Sequence, residues 1–222
     1  MHIDILSLFP EYFEGPFKVS MIKRAIEKGI IDIGLTNIRD FGEGKHHKVD
    51  DRPYGGGPGM VLMPGPVTQA IRSVKKHHSH VIYLSPQGQL FDAKIALRLA
   101  MLPHLILVCG HYEGLDERVI EQEIDEEISI GDYILTNGCL ASIVLVDATI
   151  RFVPGVLGHE EANQHESFQK GILEGPSYTR PELFEGQKVP QVLKSGHHAD
   201  IEKWRMQKGL EKTQLVRPEL LN

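Results

Sequence analysis

Residues 104–120, HLILVCGHYEGLDERVI, decide the predicted fold. The segment begins with a nearly continuous apolar run at 104–109, passes through a glycine-containing loop and ends in the start of a helix. An apolar run without polar alternation indicates a strand that is buried on both faces, and such strands occur in parallel sheets with helices on either side. The segment therefore predicts an α/β fold built on a mainly parallel sheet.

The sequence on the N-terminal side alternates between strand-like and helix-like segments, as this fold requires. The expected strands are 2–7, 31–38 and 80–88, and the expected helices are 19–28, 66–76 and 93–102. Strand, helix and strand follow one another from the N-terminus onward, which is the order of an α/β unit.

Residues 128–140, ISIGDYILTNGCL, lie between the acidic run EQEIDEE at 121–127 and the apolar segment 140–150. EEISIG predicts a further short strand, and the apolar segment predicts a buried helix. A glycine-interrupted apolar loop suits a pocket that holds the faces of a flat ligand and reads its edges with main-chain groups. On this stretch alone, a plain turn between strand and helix is the favoured interpretation.

Three loops are predicted to leave the carboxyl ends of successive strands, at 85–89, 110–114 and 130–138. In open α/β sheets, ligands bind at that edge. Each loop contains glycine, and the loops and their flanks also carry Tyr83, Tyr112, Glu113 and Tyr133. This convergence favours a binding site over a plain turn.

Residues 39–63, RDFGEGKHHKVDDRPYGGGPGMVLM, form a long polar segment with six glycines. Loops of this length inside compact domains are usually functional or disordered. The apolar residues 60–63 have to be buried, so we expect them to anchor the far end of the loop.

The character of the chain changes after residue 150. Residues 151–171 show little periodicity and predict a linker with a mobile centre at about 158–166. The remainder predicts one amphipathic helix at about 199–208. From Lys188 onward there are seven Lys and Arg against four Asp and Glu. This mild excess suggests an appendage that faces RNA, although an ordinary solvated helix is equally consistent with it.

Composition excludes several classes of protein. A length of 222 residues suits one domain, or one domain with a small appendage, and a net charge of −6 argues against a general nucleic-acid coat protein. Cys109 and Cys139 fit a reducing compartment and offer no disulfide framework or zinc ligand set. The N-terminus lacks the basic region of a signal peptide, and no apolar run reaches membrane-spanning length, so a cytoplasmic protein that does not enter the membrane is expected.

Several familiar motifs do not occur. No dinucleotide-binding G-x-G-x-x-G follows a strand, and no P-loop is found. The histidine pairs at 46–47, 77–78 and 197–198 are poor chelates, because adjacent side chains diverge on a helix or strand. Metal ligation by protein side chains is therefore not expected. Cys109 is not expected to be a nucleophile, because it ends a buried strand.

Six segments in register resemble one known family. They are VDDRPYGGGPGM (49–60), YLSPQG (83–88), CGHYEGLDERV (109–119), SIGDYILTNG (129–138), RFVPGVLGHE (151–160) and YTRPE (178–182). Their order and spacing resemble the bacterial tRNA (guanine-N1)-methyltransferase family, TrmD, of the SPOUT superfamily, from the first strand to about residue 218.

The resemblance implies a SPOUT-type parallel α/β domain tied in a deep trefoil knot, with a small α-helical C-terminal domain. It implies an S-adenosylmethionine-binding domain at 1–157, a flexible linker or lid at 158–171 and a tRNA-binding domain at 172–222. The family is a homodimer in which the knot of one subunit and the linker and C-terminal domain of the other build each active site.

The resemblance also implies the ligands and the reaction. S-Adenosyl-L-methionine is the methyl donor, magnesium dependence is expected, and the substrate is tRNA with guanosines at positions 36 and 37, of which position 37 is methylated on N1. The cofactor-binding residues implied by position are Tyr83, Pro86, Gly110, Glu113, Ile130, Gly131, Asp132, Tyr133, Ile134, Leu135 and Gly138.

Guanine N1 carries a proton and becomes nucleophilic only when that proton leaves. The reaction therefore requires a general base, and a cation near O6 would stabilise the developing negative charge. By position in the family, these roles fall to Glu166 and Arg151. Without the resemblance, a solvated loop carboxylate and a surface ion pair would be the preferred interpretations of the two residues.

The chain departs from the family pattern at a few positions. Glu166 stands where Asp is usual, Asn137-Gly138-Cys139 where Gly-Gly-Glu is usual, and His111 and His47 where Arg is usual or common. We expect these changes at ligand-facing positions rather than in the core. Asn137 is expected to preserve the turn by tolerating left-handed backbone, and Cys139 to remove a polar contact near the cofactor or magnesium.

Two alternatives stay open. The departures are compatible with a catalytically impaired RNA-binding homologue of the same fold. A related knotted methyltransferase acting on a ribose 2′-oxygen or on ribosomal RNA is less favoured, because VDDRPYGGGPGM and YTRPE are typical of the position-37 family. Retained methyl transfer with altered cofactor affinity or rate is the prediction.

Overall fold

A computed structural model describes residues 1–158 and 166–221. The chain divides after Gly158 into two compact units, each of which is described by itself. Residues 159–165, the centre of the expected linker, lie outside the described residues. The mobile linker therefore stays a prediction.

The elements follow the α/β order that the sequence predicts. In the first unit they are β1 (His2–Ser7), α1 (Ser20–Glu27), β2 (Asp32–Asn37), β3 (Asp50–Asp51), β4 (Val61–Leu62), α2 (Pro64–Val74), β5 (Ser79–Leu90), α3 (Ala93–Ala100), β6 (His104–Cys109), α4 (Glu117–Glu123), β7 (Glu126–Ser129) and α5 (Cys139–Ile150). In the second unit they are β8 (Leu183–Phe184), β9 (Gln187–Lys188) and α6 (His198–Val216).

The five main strands form one sheet in the order β2-β1-β6-β5-β7, and every neighbouring pair is parallel. Strand β6 lies at the centre, and all six of its residues are buried. The prediction of a parallel sheet from the apolar run at 104–109 is confirmed.

Helices cover both faces of the sheet, because alternate strand residues point to opposite sides. Leu105 and Leu107 of β6 pack in a cluster with residues of α1, α3 and α5. Ile106 and Val108 pack in a second cluster with residues of α2 and α4. Strand β6 thus contributes to two apolar cores.

The segment expected as a loop at 85–89 lies inside β5 instead. Leu84 and Gln89 both pair with Ile128 of β7, so residues 85–88 bulge outward and the strand continues to Leu90. At Gly88 a side chain would not fit, since its Cβ would lie 2.4 Å from the carbonyl carbon of Glu127. Proline and glycine at 86 and 88 mark a bulge here, which sequence reading does not distinguish from a strand end.

The long segment at 39–63 is anchored at its far end, as expected. Asp50 pairs with Leu62, and Asp51 with Val61, in the short antiparallel β3–β4 ribbon. Leu62 is fully buried and also bridges to Leu115, in the loop that follows β6.

Helix α6 is nearly twice as long as predicted and is not amphipathic in the expected sense. Of its 19 residues, Gly209 and Thr213 are the buried ones. The helix continues past the predicted end at about 208, through Gly209, and the segment at 173–175 lies against it. A Cβ on Gly209 would be 2.3 Å from the Leu173 carbonyl oxygen, and Thr213 Oγ1 accepts a hydrogen bond from Leu173 N–H at 2.9 Å.

The second unit is not purely α-helical, because it also contains the β8–β9 hairpin. Its one tryptophan, Trp204 of α6, lies 6.3 Å from the ring of Tyr178. Among the described residues of both units, no helix has the length and apolar character needed to cross a membrane.

Candidate active site

The loop that follows β7 returns to the end of β6. Gly138 N–H donates a hydrogen bond to the Gly110 carbonyl oxygen at 2.8 Å. A Cβ on Gly138 would lie 2.9 Å from Gly110 N and 3.0 Å from Cys109 Cα. Both of those atoms belong to the backbone and cannot move aside cheaply, so glycine is required at 138 for close approach. The two loops that the sequence predicted to converge therefore touch.

The ring of Tyr83 packs against the loop at 110–114. A Cβ on Gly110 would lie 2.9 Å from Tyr83 Oη, and one on Gly114 3.0 Å from the same atom. Burial raises the pKa of Tyr83 to about 12, so its phenol is neutral at physiological pH. With only 5% of its surface exposed, Tyr83 lies behind this loop.

The loop after β6 is also tied to the glycine-rich segment before β4. Glu113 N–H donates to the Met60 carbonyl at 2.9 Å, and Leu62 N–H donates to the Gly114 carbonyl at 2.9 Å. The exposed Glu113 carboxylate lies over Gly59, where a Cβ would be 2.2 Å from its Oε1 atom. The glycine-rich segment therefore borders the candidate site.

The loop at 129–135 has its own internal hydrogen bonds. Gly131 N–H donates to Ser129 Oγ at 3.3 Å, and Tyr133 Oη donates to the Ile130 carbonyl at 3.2 Å. Ile134 is 81% exposed, whereas Ile130 is half-buried. The loop therefore presents apolar side chains on an internally braced backbone, which suits the faces of a planar ring.

The remaining cofactor candidates lie around the same edge of the sheet. Leu135 is half-buried, and Asp132 is exposed beside Tyr133. Pro86 is exposed on the bulge of β5, where Gln87 N–H donates to Ser85 Oγ at 3.1 Å. One carboxylate of the neighbouring strand, Glu127, has a buried oxygen without a hydrogen-bond partner among the described residues.

Asn137 preserves the turn, but not for the reason expected. It does not occupy the left-handed region; among the described residues that region holds other non-glycine positions, such as Tyr112. Its Oδ1 atom instead accepts a hydrogen bond at 2.9 Å from the N–H group of Cys139, the first residue of α5. Asn137 thus satisfies a backbone donor at the N-terminus of that helix.

Two of the unusual residues lie in the core rather than facing a ligand, contrary to expectation. His111 is 4% exposed, and Cys139 is fully buried. Ser7 Oγ lies 3.2 Å from Cys139 Sγ and 3.3 Å from His111 Nε2, the nitrogen that accepts from Leu8 N–H. These groups join the end of β1 to the loop after β6 and to α5. Sequence reasoning missed this set because Ser7 lies more than 100 residues from both His111 and Cys139.

The two cysteines share this cluster and influence each other's ionisation. Burial raises the pKa of the Cys109 thiol, which lies 3.1 Å from Ser142 Oγ. Hydrogen bonds with Cys109, and then with His111 and Ser7, lower the pKa of Cys139. Neither sulfur has an exposed surface, so the pair packs behind the candidate site and does not line it.

The catalytic candidates fall in different units. Arg151 is half-buried and directly follows the last residue of α5. Glu166 is half-buried in the second unit, where it lines a cavity of about 440 Å³. The other charged or titratable residues of that cavity are Lys170, Glu174, His198, Glu202 and Arg205. The cavity is therefore polar and carries charges of both signs.

The fold defines a class, the open parallel α/β proteins, and the loops after β6 and β7 together with the bulge of β5 form a candidate ligand site. The model of one family, described as tRNA (Guanine-1)-methyltransferase TrmD, matches residues 1–222. The chain belongs to this family and is accordingly an enzyme, a methyltransferase of tRNA.

Individual relatives agree with the family match. A tRNA (guanine-N(1)-)-methyltransferase from Protochlamydia amoebophila (strain UWE25) is 62% identical over 221 residues, which cover 100% of both chains. The protein of the same name from Chlamydia pneumoniae is 58% identical over 220 residues, or 99% of this chain and 61% of that protein. In Chlamydia trachomatis serovar D the identity is 56%, over 62% of the relative. The chain thus spans about three fifths of the length of the two Chlamydia proteins.

Proposed function

We propose that this enzyme transfers a methyl group from S-adenosyl-L-methionine to N1 of the guanosine at position 37 of tRNA, next to a guanosine at position 36. The observation that carries the proposal is the contact between Gly138 N–H and the Gly110 carbonyl. It joins the glycine-containing loops at the strand ends, where the family resemblance assigns the methyl donor.

The residues present fit S-adenosylmethionine. Its adenine ring has two apolar faces, which Ile130, Ile134 and Leu135 can cover. Its ribose carries hydroxyl groups, for which the exposed Glu113 carboxylate is an acceptor. Its methionine end carries positive charge, which the exposed Asp132 attracts. Tyr83, Pro86, Gly110, Gly131, Tyr133 and Gly138 complete the proposed site.

When bound, the cofactor supplies a methyl group on a sulfonium, which is already activated for transfer. The protein has to deal with the N1 proton of guanine. We assign Glu166 as the general base that removes this proton, and Arg151 as the cation that stabilises negative charge on O6. Arginine suits O6 because it stays charged and its donors are fixed in one plane.

The proposal extends to the architecture. We infer that the return of the chain after β7 to the end of β6 closes a deep trefoil knot, which is rare among folds. We infer a homodimer in which residues 158–171 act as a lid and residues 172–222 bind tRNA against the knot of the partner subunit, at 1–157. The reaction belongs in the cytoplasm, where tRNA is found.

We assign no magnesium site to the side chains of the protein. Among the described residues, the one cluster of three potential ligands is His2, Asp4 and His104, and its two nitrogen donors suit Mg²⁺ poorly. Dependence on magnesium is therefore expected to act through tRNA or the cofactor. Titration of magnesium into the transfer assay, with tRNA folded beforehand, tests this expectation.

The deciding experiment measures transfer of labelled methyl from S-adenosylmethionine to a tRNA with guanosines at 36 and 37. We expect the wild type to transfer the label, and Glu166→Gln to lose transfer by at least about 100-fold while still binding tRNA. Glu121→Gln, which changes an exposed carboxylate of α4, is the matched control and should be fully active. Transfer by Glu166→Gln at the wild-type rate would remove Glu166 from the mechanism.

The same assay separates the alternatives. A catalytically impaired RNA-binding homologue would bind tRNA without transferring the label at high enzyme concentration. A knotted methyltransferase of another specificity would place the label on a ribose 2′-oxygen or on ribosomal RNA. Mass spectrometry of nuclease digests identifies the methylated atom and nucleoside.

A further inference from the structure

At the edge of the sheet opposite to the candidate active site, three potential metal ligands meet on β1 and β6. His2 and His104 stand opposite each other in the parallel register of these strands. Asp4 points to the same face as His2, because alternate residues of a strand share a face. His2 Nε2 lies 3.0 Å from Asp4 Oδ2, and His104 Nε2 lies 2.9 Å from the same oxygen.

We propose that His2, Asp4 and His104 bind one divalent transition-metal ion of the zinc class, with water completing a tetrahedral site. Two imidazole nitrogens and one carboxylate oxygen form a ligand set that zinc accepts. The three ligand atoms all lie within 4.8 Å of one another. Ligand atoms in a tetrahedral zinc site are roughly 3.4 Å apart. The two oxygen–nitrogen separations therefore need to expand by about 0.5 Å, and the two Nε2 atoms, which lie within 4.8 Å of each other, have to adopt the same spacing.

The Nδ1 atoms of both histidines lie within hydrogen-bond distance of other side chains. His2 Nδ1 lies 2.9 Å from Asp32 Oδ2, and His104 Nδ1 lies 2.8 Å from Ser79 Oγ. A metal-binding histidine characteristically donates its second ring N–H to such a partner, which fixes the ring and its tautomer. The two Nε2 atoms are therefore the ones directed toward Asp4.

The alternative is a cluster that is satisfied by hydrogen bonds alone. In that form, Asp4 Oδ2 accepts from both Nε2–H groups. His2 then lies between two carboxylates and needs a proton on each nitrogen to pair with both. A metal ion in place of the two Nε2 protons removes this requirement, because His2 then donates only to Asp32.

The surroundings accommodate the Asp4 carboxylate and leave a route to it from solvent. Asp4 and His104 are 6% and 5% exposed, whereas the side chain of His2 is 27% exposed and gives access from solvent. Gly34 leaves the space that Asp4 fills, because a Cβ there would lie 2.1 Å from Asp4 Oδ1. Strand β1 rises about 17 Å over its six residues, which separates this cluster from the loops at the other edge.

The test uses tag-free protein, stripped of metal by a chelator and titrated with Co²⁺ and then Zn²⁺. We expect one equivalent of Co²⁺ per chain with the intense visible absorption of tetrahedral cobalt, and stoichiometric displacement by Zn²⁺. His104→Gln and His2→Gln should each weaken Zn²⁺ binding by at least about 100-fold, and Asp32→Asn by 10- to 100-fold. His78→Gln, at an exposed histidine elsewhere, is the matched control and should bind as the wild type does.

Circular dichroism of each variant verifies folding, and the partly exposed His2 provides a variant that leaves the buried pair in place. Failure of the wild type to bind a stoichiometric ion, or binding that survives His2→Gln and His104→Gln, would overturn the proposal. S-Adenosylmethionine binding, measured on the same variants, should remain unchanged. The result is therefore independent of the proposed methyl transfer.

Discussion

At the scale of single residues, the candidate site depends on close contact between backbones. Gly138 has ordinary helical dihedral angles, so a side chain there would not strain its own backbone. It is confined because Gly110 and Cys109 lie about 3 Å from the position of a Cβ. The family pattern marks Gly138 as important, but this steric reason emerges only when the two loops are brought together.

Gly138→Ala should weaken S-adenosylmethionine binding and destabilise the first unit by about 1–3 kcal/mol, because the added methyl overlaps backbone atoms. Calorimetric titration with the cofactor and urea unfolding measure the two effects. Gly15→Ala is the control, since a Cβ at Gly15 meets nothing within 4 Å. Wild-type affinity in Gly138→Ala would show that the loops do not meet at this point in solution.

Asn137 illustrates a residue whose role the sequence suggested for the wrong reason. Asn137→Ala should lower the free energy of unfolding by about 0.5–2 kcal/mol, because it leaves Cys139 N–H without its acceptor at the start of α5. Asn137→Asp retains an acceptor at that helix terminus and should remain close to the wild type. Equal losses in both variants would argue against a capping role.

At the scale of elements, hydrophobic periodicity predicted the type of each segment better than its ends. Strand β5 passes through Pro86 and Gly88 as a bulge, and α6 passes through Gly209. In both places glycine marks a close approach of another backbone segment, and both elements continue past the predicted end. The backbone segments that approach Gly88 and Gly209 lie 35 to 40 residues away from them in the sequence.

Gly209→Ala tests this explanation in α6. Alanine usually stabilises the interior of a helix by about 0.5–1 kcal/mol relative to glycine. Here the added Cβ would overlap the Leu173 carbonyl oxygen, so we expect faster amide hydrogen exchange along His198–Val216. Lys212→Ala, at an exposed position of the same helix, should leave exchange unchanged. Slower exchange in Gly209→Ala would contradict the packing seen here.

At the scale of the whole molecule, α5 is apolar along most of its length but leaves one face uncovered. Leu140 and Val144 are each 47% exposed, and a spacing of four residues places them side by side. An exposed apolar pair of this kind, on a helix whose other large apolar residues are buried or half-buried, is consistent with the proposed homodimer.

The proposed homodimer leads to a prediction for this face. Wild-type protein should sediment as a dimer, and Val144→Lys should shift it toward the monomer, because a charge would be buried in the interface. Analytical ultracentrifugation measures both states. Val19→Lys, at an exposed apolar position outside α5, should sediment as the wild type does. A monomeric wild type would remove the dimer from the proposal.

The sequence by itself determined the α/β class, the parallel sheet and the family. The nearly continuous apolar run at 104–109 and the six motifs in register can both be read directly along the chain. It also indicated which loops should converge. Only the tertiary structure decided that His111 and Cys139 lie in the core and that His2, Asp4 and His104 meet. The physical reason is that hydrogen bonds and steric limits act between atoms close in space, and parallel pairing of β1 with β6 joins residues about a hundred positions apart.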